Sequence, residues 1–104
     1  MNNSKVTNNN ITKAKLDKYF ALTNAAFKMA KVKKDLSKKE QKKCEQFLDF
    51  CIRYVTDAEH FKEKGDYVTA FAALNYAHAW LDAAAVAGWL TITHKDRNKY
   101  FTID

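Results

Sequence analysis

The sequence predicts an all-α fold: an up-down-up antiparallel three-helix bundle with a short extended or hairpin C-terminal tail. Three observations carry that prediction. The 104 residues contain no proline and only two glycines, too few turn residues for a strand-and-turn architecture. Apolar residues recur at steps of three and four along two long stretches. In a third stretch, DYVTAFAALNYAHAWLDAAAVAG, the only formal charge between Asp66 and His94 is Asp82. So uncharged a helix must be covered on most sides, and the other two amphipathic stretches are suited to cover it.

The elements follow in order. Residues 1–10 are polar and Asn-rich and are expected to be flexible. Asn10 or Thr12 can cap helix one. Its apolar face reads Leu16, Tyr19, Phe20, Thr23, Ala26, Phe27 and Ala30, and the helix is expected to run to about Lys33. Ser37 and Glu40 form a capping-box pattern that opens helix two. That helix carries Cys44, Phe47, Leu48, Cys51, Ile52, Val55, Ala58 and Phe61 on one side and spans roughly 40 Å. Gly65 can take the left-handed conformation that closes it, and Asp66 can cap helix three. The turn is then so short that helices two and three must be antiparallel neighbours.

Helix three presents Ala70, Leu74, Ala77, Leu81 and Ala84 as one stripe, with Ala73, Tyr76, Trp80, Ala83 and Ala87 as a second stripe beside it. Gly88 ends it. Ala72, Ala79 and Val86 point outward and want a cover, which the tail or a second copy of the chain could supply. In the tail, Leu90–Thr93 and Tyr100–Ile103 are short β-prone runs around a polar KDRN. A hairpin or return strand there must lie on the helices to persist. The domain plan is therefore a flexible 1–10, a bundle over 11–90 and a packed tail over 91–104.

Composition narrows the functional classes. A chain of 104 residues suits one domain that buries about two-thirds of its unfolded surface, leaving little room for a deep enzyme cleft. Net charge is +6, and residues 1–52 hold twelve lysines against five acids. Lys28, Lys31, Lys33, Lys34, Lys38, Lys39, Lys42 and Lys43 crowd the corner between helices one and two. Of these, Lys33, Lys34, Lys38, Lys39, Lys42 and Lys43 are the candidate phosphate contacts for a nucleic-acid partner. A solvated lysine-rich surface accounts for the same charge, and no aromatic residues interleave there to stack bases. The N-terminal MNNSKVTNNN lacks the apolar core of a signal peptide. Asp82 at the centre of the most apolar helix would cost roughly 2.5–3.5 kcal/mol to insert in a bilayer. No membrane partner is expected, and a cytoplasmic location is.

Cys44 and Cys51 are the only cysteines. On one helix they lie about 10 Å apart along the axis, too far for a disulfide and poor as a metal pair. They read as small buried apolar residues. Asn75, His78 and Asp82 fall within a narrow arc of helix three and form the candidate binding site, with His78 and Asp82 spaced to hydrogen-bond as an i,i+4 pair. The solvent stripe of a mostly buried helix would show the same spacing. Arg53 and His60 resemble the arginine–histidine motif of helical nucleases, though a seven-residue step is also simply two helical turns. No Gly-rich phosphate loop, zinc-ligand pair or nucleophile elbow occurs. No catalytic residue, metal or cofactor is expected, and the chain is not expected to be an enzyme.

The stretch Ala58 to Leu90, AEHFKEKGDYVTAFAALNYAHAWLDAAAVAGWL, resembles an archaeal family known as domain of unknown function 357. KGDYVTAFAALNYAHAWLDA and the small-residue run after it carry the resemblance. The closing YFTI resembles that family's usual C-terminal end. The resemblance covers about Cys44 to Asp104; Ala79 stands where family members tend to have Gly. It implies a three-helix bundle of the spectrin-repeat type and no established activity. GDY followed by Ala70, Leu74 and Ala77 also resembles the mid-repeat turn of tetratricopeptide repeats, but one such unit is present where at least three are needed. The expected role is a protein-interaction module that contacts another protein, or itself, through helix three. The alternative is nucleic-acid binding at the lysine corner and, behind it, an Arg/His-type helical ribonuclease using Arg53 and His60.

Overall fold

A computed structural model describes residues 8–103; the remaining part of the expected flexible N-terminus, residues 1–7, lies outside the described residues. The fold is all-α, as the sequence predicts. Three long helices, α1 (Lys13–Met29), α2 (Lys38–Glu63) and α3 (Tyr67–Val86), are joined by a two-stranded ladder of β1 (Lys31–Val32) and β2 (Leu90–Thr91) and followed by one short turn, α4 (Arg97–Tyr100). Among the described residues no helix is long and apolar enough to cross a membrane.

Local chemistry sets the helix ends. The Thr12 hydroxyl accepts the Lys15 amide at 3.1 Å and opens α1. Ser37 and Glu40 close both halves of a capping box: the Ser37 hydroxyl takes the Glu40 amide at 3.1 Å, and the Glu40 carboxylate takes the Ser37 amide at 3.2 Å. Those two Ser37 bonds, side chain first, hold the Glu40 carboxyl below its ordinary value. At the other end of α2 the chain passes through Gly65 at φ +79°. The Gly65 amide donates to the Lys62 carbonyl and the Asp66 amide to the Phe61 carbonyl, a Schellman closure. The Asp66 carboxylate then accepts the Thr69 amide and starts α3, so one residue ends one helix and caps the next. α3 closes in the same way at Gly88 (φ +79°), with the Trp89 amide on the Ala84 carbonyl.

The predicted stripe of α3 is the centre of the core. Ala70, Leu74, Ala77, Leu81 and Ala84 are all buried, against Leu16, Phe20, Thr23 and Ala26 of α1 and Cys44, Cys51 and Ala58 of α2. Small side chains at the seam let helix backbones approach closely. Beside the seam, ring pairs step in opposite directions along α2 and α3: Tyr54 on Tyr76 at 5.4 Å and Phe50 on Trp80 at 4.8 Å, with Phe47 reaching both Trp80 and Trp89. Each such pair adds about 0.5–1.5 kcal/mol beyond its buried area. Across α1 and α3 the pairs step in the same direction, Tyr19 with Phe71 and Thr23 with His78. Lys62 of α2 ties to Asp17 of α1 and lies over the Phe20 ring at 5.4 Å.

The structure corrects the expected end of helix one and decides several points beside it. Helix one ends at Met29 rather than near Lys33: Ala30 turns extended, and Lys31 and Val32 pair antiparallel with Thr91 and Leu90. Of the two arrangements open to the tail, the hairpin does not form: its two β-prone runs do not pair with each other. The first pairs with β1; the second lies at the end of α4, whose last turn leads into the extended Phe101. Ile52, placed on the inner side of α2, is half exposed, and the second stripe of α3 is open at Tyr76, Ala83 and Ala87. Of the two covers considered for Ala72, Ala79 and Val86, the tail is not the one: all three are exposed.

Candidate functional site

His78, on the α1-facing side of α3, sits half-buried between two partners. Its Nε2 lies 2.6 Å from the Tyr100 carbonyl oxygen and its Nδ1 lies 3.0 Å from the Thr23 hydroxyl. A carbonyl can only accept, so Nε2 carries the proton; in the neutral ring Nδ1 then accepts from the Thr23 O–H. Thr23 is 2% exposed, and this bond satisfies its buried hydroxyl.

Asp82, one turn along α3, does not pair with His78 as the spacing allowed. Its Oδ1 accepts the Thr102 amide at 2.8 Å. The two side chains thus hold backbone groups on either side of Phe101, whose ring is 4% exposed and lies 6.4 Å from the imidazole. The i,i+4 pair is replaced because the tail brings an acceptor and a donor that fit each side chain better than they fit each other. Asn75 is exposed and, with Tyr19, Leu22, His78, Ala79 and Asp82, borders a cleft of about 240 Å³ between α1 and α3. Of the three candidate residues, two clamp the tail and only Asn75 faces outward freely.

The lysine corner is partly reshaped. Lys33 is half-buried and its amide donates to the Trp89 carbonyl at 2.9 Å, extending the β1–β2 ladder. Lys34, Lys38, Lys39, Lys42 and Lys43 are exposed. Lys31, Lys33 and Lys34 line a concave surface of about 550 Å³ together with Val32, Asp35 and Thr91.

The remaining reactive groups are placed as follows. Cys44 and Cys51 are buried free thiols, and desolvation pushes Cys51 up to about 11. Arg53 is exposed and paired with Asp49 at 2.8 Å, while His60 lies against Phe61 two turns away. Among the described residues no group of three or more His, Cys, Asp or Glu side chains could hold a metal ion.

Sequence reasoning placed Thr23 on the inner face of helix one but missed its bond to His78. A hydroxyl at a core position needs a partner, and that was a usable signal. The Tyr100 carbonyl and the Thr102 amide had no such signal, because every residue carries the same backbone groups.

No curated protein and no solved structure matches the chain. A family model described as "Protein of unknown function (DUF357)" matches residues 18–90, which takes in the α1–α3 groove, the α2–α3 turn and the His78–Asp82 pair of clamps. The chain belongs to the DUF357 family.

Proposed function

We propose that this chain is a small non-catalytic interaction module: an up-down-up three-helix bundle of the spectrin-repeat type that meets a second copy of itself through the outer face of α3. One observation carries the reading. Val68 (67% exposed), Tyr76 (62%) and Val86 (66%) stand open on α3 together with Ala72, Ala79 and Ala83. That stripe is about 27 Å long and carries no formal charge, in a chain of net charge +6. It is the face on which two like-charged copies can approach with least repulsion. Contiguous exposed apolar surface of this kind supports a contact role. Sedimentation equilibrium over a wide concentration range tests it. The expected result is a dimer that persists as salt rises and is lost in Ala79→Glu; a monomer at every concentration overturns the self-contact.

A second reading, nucleic-acid binding at the lysine corner, has its own support. Lys33, Lys34, Lys38, Lys39, Lys42 and Lys43 take part in none of the ion pairs found among the described residues. Nearby Glu40 is bound back onto its own helix cap. Retention on immobilised nucleic acid at low salt, with release as salt rises, tests this reading.

A further inference from the structure

We propose that the concave surface beside the β1–β2 ladder, walled by Lys31, Lys33 and Lys34, holds the phosphate backbone of duplex nucleic acid without reading its sequence. This rests on the nucleic-acid reading and gives it a place and a form of ligand. The concavity is a product of the fold: α1 stops at Met29, and Ala30 turns the chain into the ladder. Three lysines that a continued helix would have spread around its axis line one surface of about 550 Å³ instead. The backbone of the first two is held, Lys31 opposite Thr91 in β1 and the Lys33 amide on the Trp89 carbonyl at 2.9 Å, and Lys34 follows in the turn. Lys31 and Lys33 are therefore anchored through the ladder. Thr91 is in the same lining, and a threonine hydroxyl is a neutral donor suited to a phosphate oxygen. Just beyond, Lys38 and Lys39 stand exposed in the first turn of α2. Cations are disfavoured at that end of a helix, and a bound anion relieves them.

The chemistry selects the ligand. The concave surface holds one acid, Asp35, and no aromatic ring. Without a stacking platform, unpaired bases gain nothing there. A duplex concentrates charge at one phosphate per about 1.7 Å of axis. Lysines are hydrated point charges suited to such an array.

The test is fluorescence anisotropy of a labelled short duplex, and of the matching single strand, with the full chain. Two variants with equal charge change, K31E/K34E and K15E/K18E, are compared after melting curves confirm that both are folded. If three phosphates are neutralised, affinity falls about 40-fold between roughly 50 and 200 mM salt. K31E/K34E is expected to lose at least tenfold more affinity than K15E/K18E, and the duplex to bind more tightly than the single strand. No binding at low salt overturns the nucleic-acid reading and this proposal together. Binding that both variants weaken equally, a single strand held as tightly as the duplex, or displacement by polyglutamate or anionic vesicles of matched charge overturns this proposal alone.

Discussion

His78 donates to the carbonyl of Tyr100, 22 residues further along the chain, at 2.6 Å. That bond and the Asp82–Thr102 bond at 2.8 Å bracket the buried Phe101 and pin the C-terminal segment across α1 and α3. The polar residues of the most apolar helix thus act as a two-point clamp on the tail.

Removing the clamp has a defined cost. His78→Ala strands the Tyr100 carbonyl and the Thr23 hydroxyl, so a loss of about 1–3 kcal/mol is expected, read as a melting temperature lower by several degrees. Asp82→Ala frees the Thr102 amide, and hydrogen exchange should accelerate there first. A Thr102 amide that exchanges at the wild-type rate in Asp82→Ala would contradict the clamp. Thr23→Val combined with His78→Ala should cost less than the sum of the two, since both remove one bond.

Phe101→Ala removes the ring the clamp holds. The residue is 4% exposed, so a loss of about 3–5 kcal/mol is expected, together with protease sensitivity of the tail. Phe101→Leu should recover most of it. Equal stability of Phe101→Ala and wild type in urea denaturation would show that the ring is not part of the core.

Gly65 and Gly88 both sit at φ +79°, yet a Cβ at either would meet nothing within 4 Å. The need is conformational and not spatial. Gly65→Ala and Gly88→Ala should each cost about 1–2 kcal/mol, while D-alanine at the same positions in a synthetic chain should stabilise. A Gly88→Ala variant as stable as wild type would show that the turn has another low-energy form.

Acid should destabilise the fold through three carboxylates held below their ordinary values. Asp17 is held by Lys62 and then Lys13, Glu40 by Ser37, and Asp66 by Thr69. Their folded values lie below the unfolded ones, so their contribution is present above about pH 4 and is lost as pH falls through the folded values. Melting temperature against pH should fall below about pH 4, and less steeply in an Asp66→Asn, Glu40→Gln variant. Cys51 acts at the other end. Its thiol is pushed up to about 11 by burial, so the folded state keeps a proton the unfolded chain loses. Stability should therefore decline as pH rises above about 8.5. A disulfide reagent at pH 8 should label neither thiol until denaturant is added.

The three helices, both glycine closures, the Ser37–Glu40 box and the buried stripe from Ala70 to Ala84 were legible before any coordinates. Each depends on residues within a few positions of one another, where spacing and side-chain chemistry state the outcome directly. The early end of α1, the pairing of Val32 with Leu90, the clamp on Phe101 and the concave setting of Lys31, Lys33 and Lys34 were not legible. They depend on which distant backbone lies alongside, and one amide or carbonyl is chemically like any other. Asp82 and His78 could have paired along their own helix; they turned to the tail because packing of Phe101 brought better partners within reach.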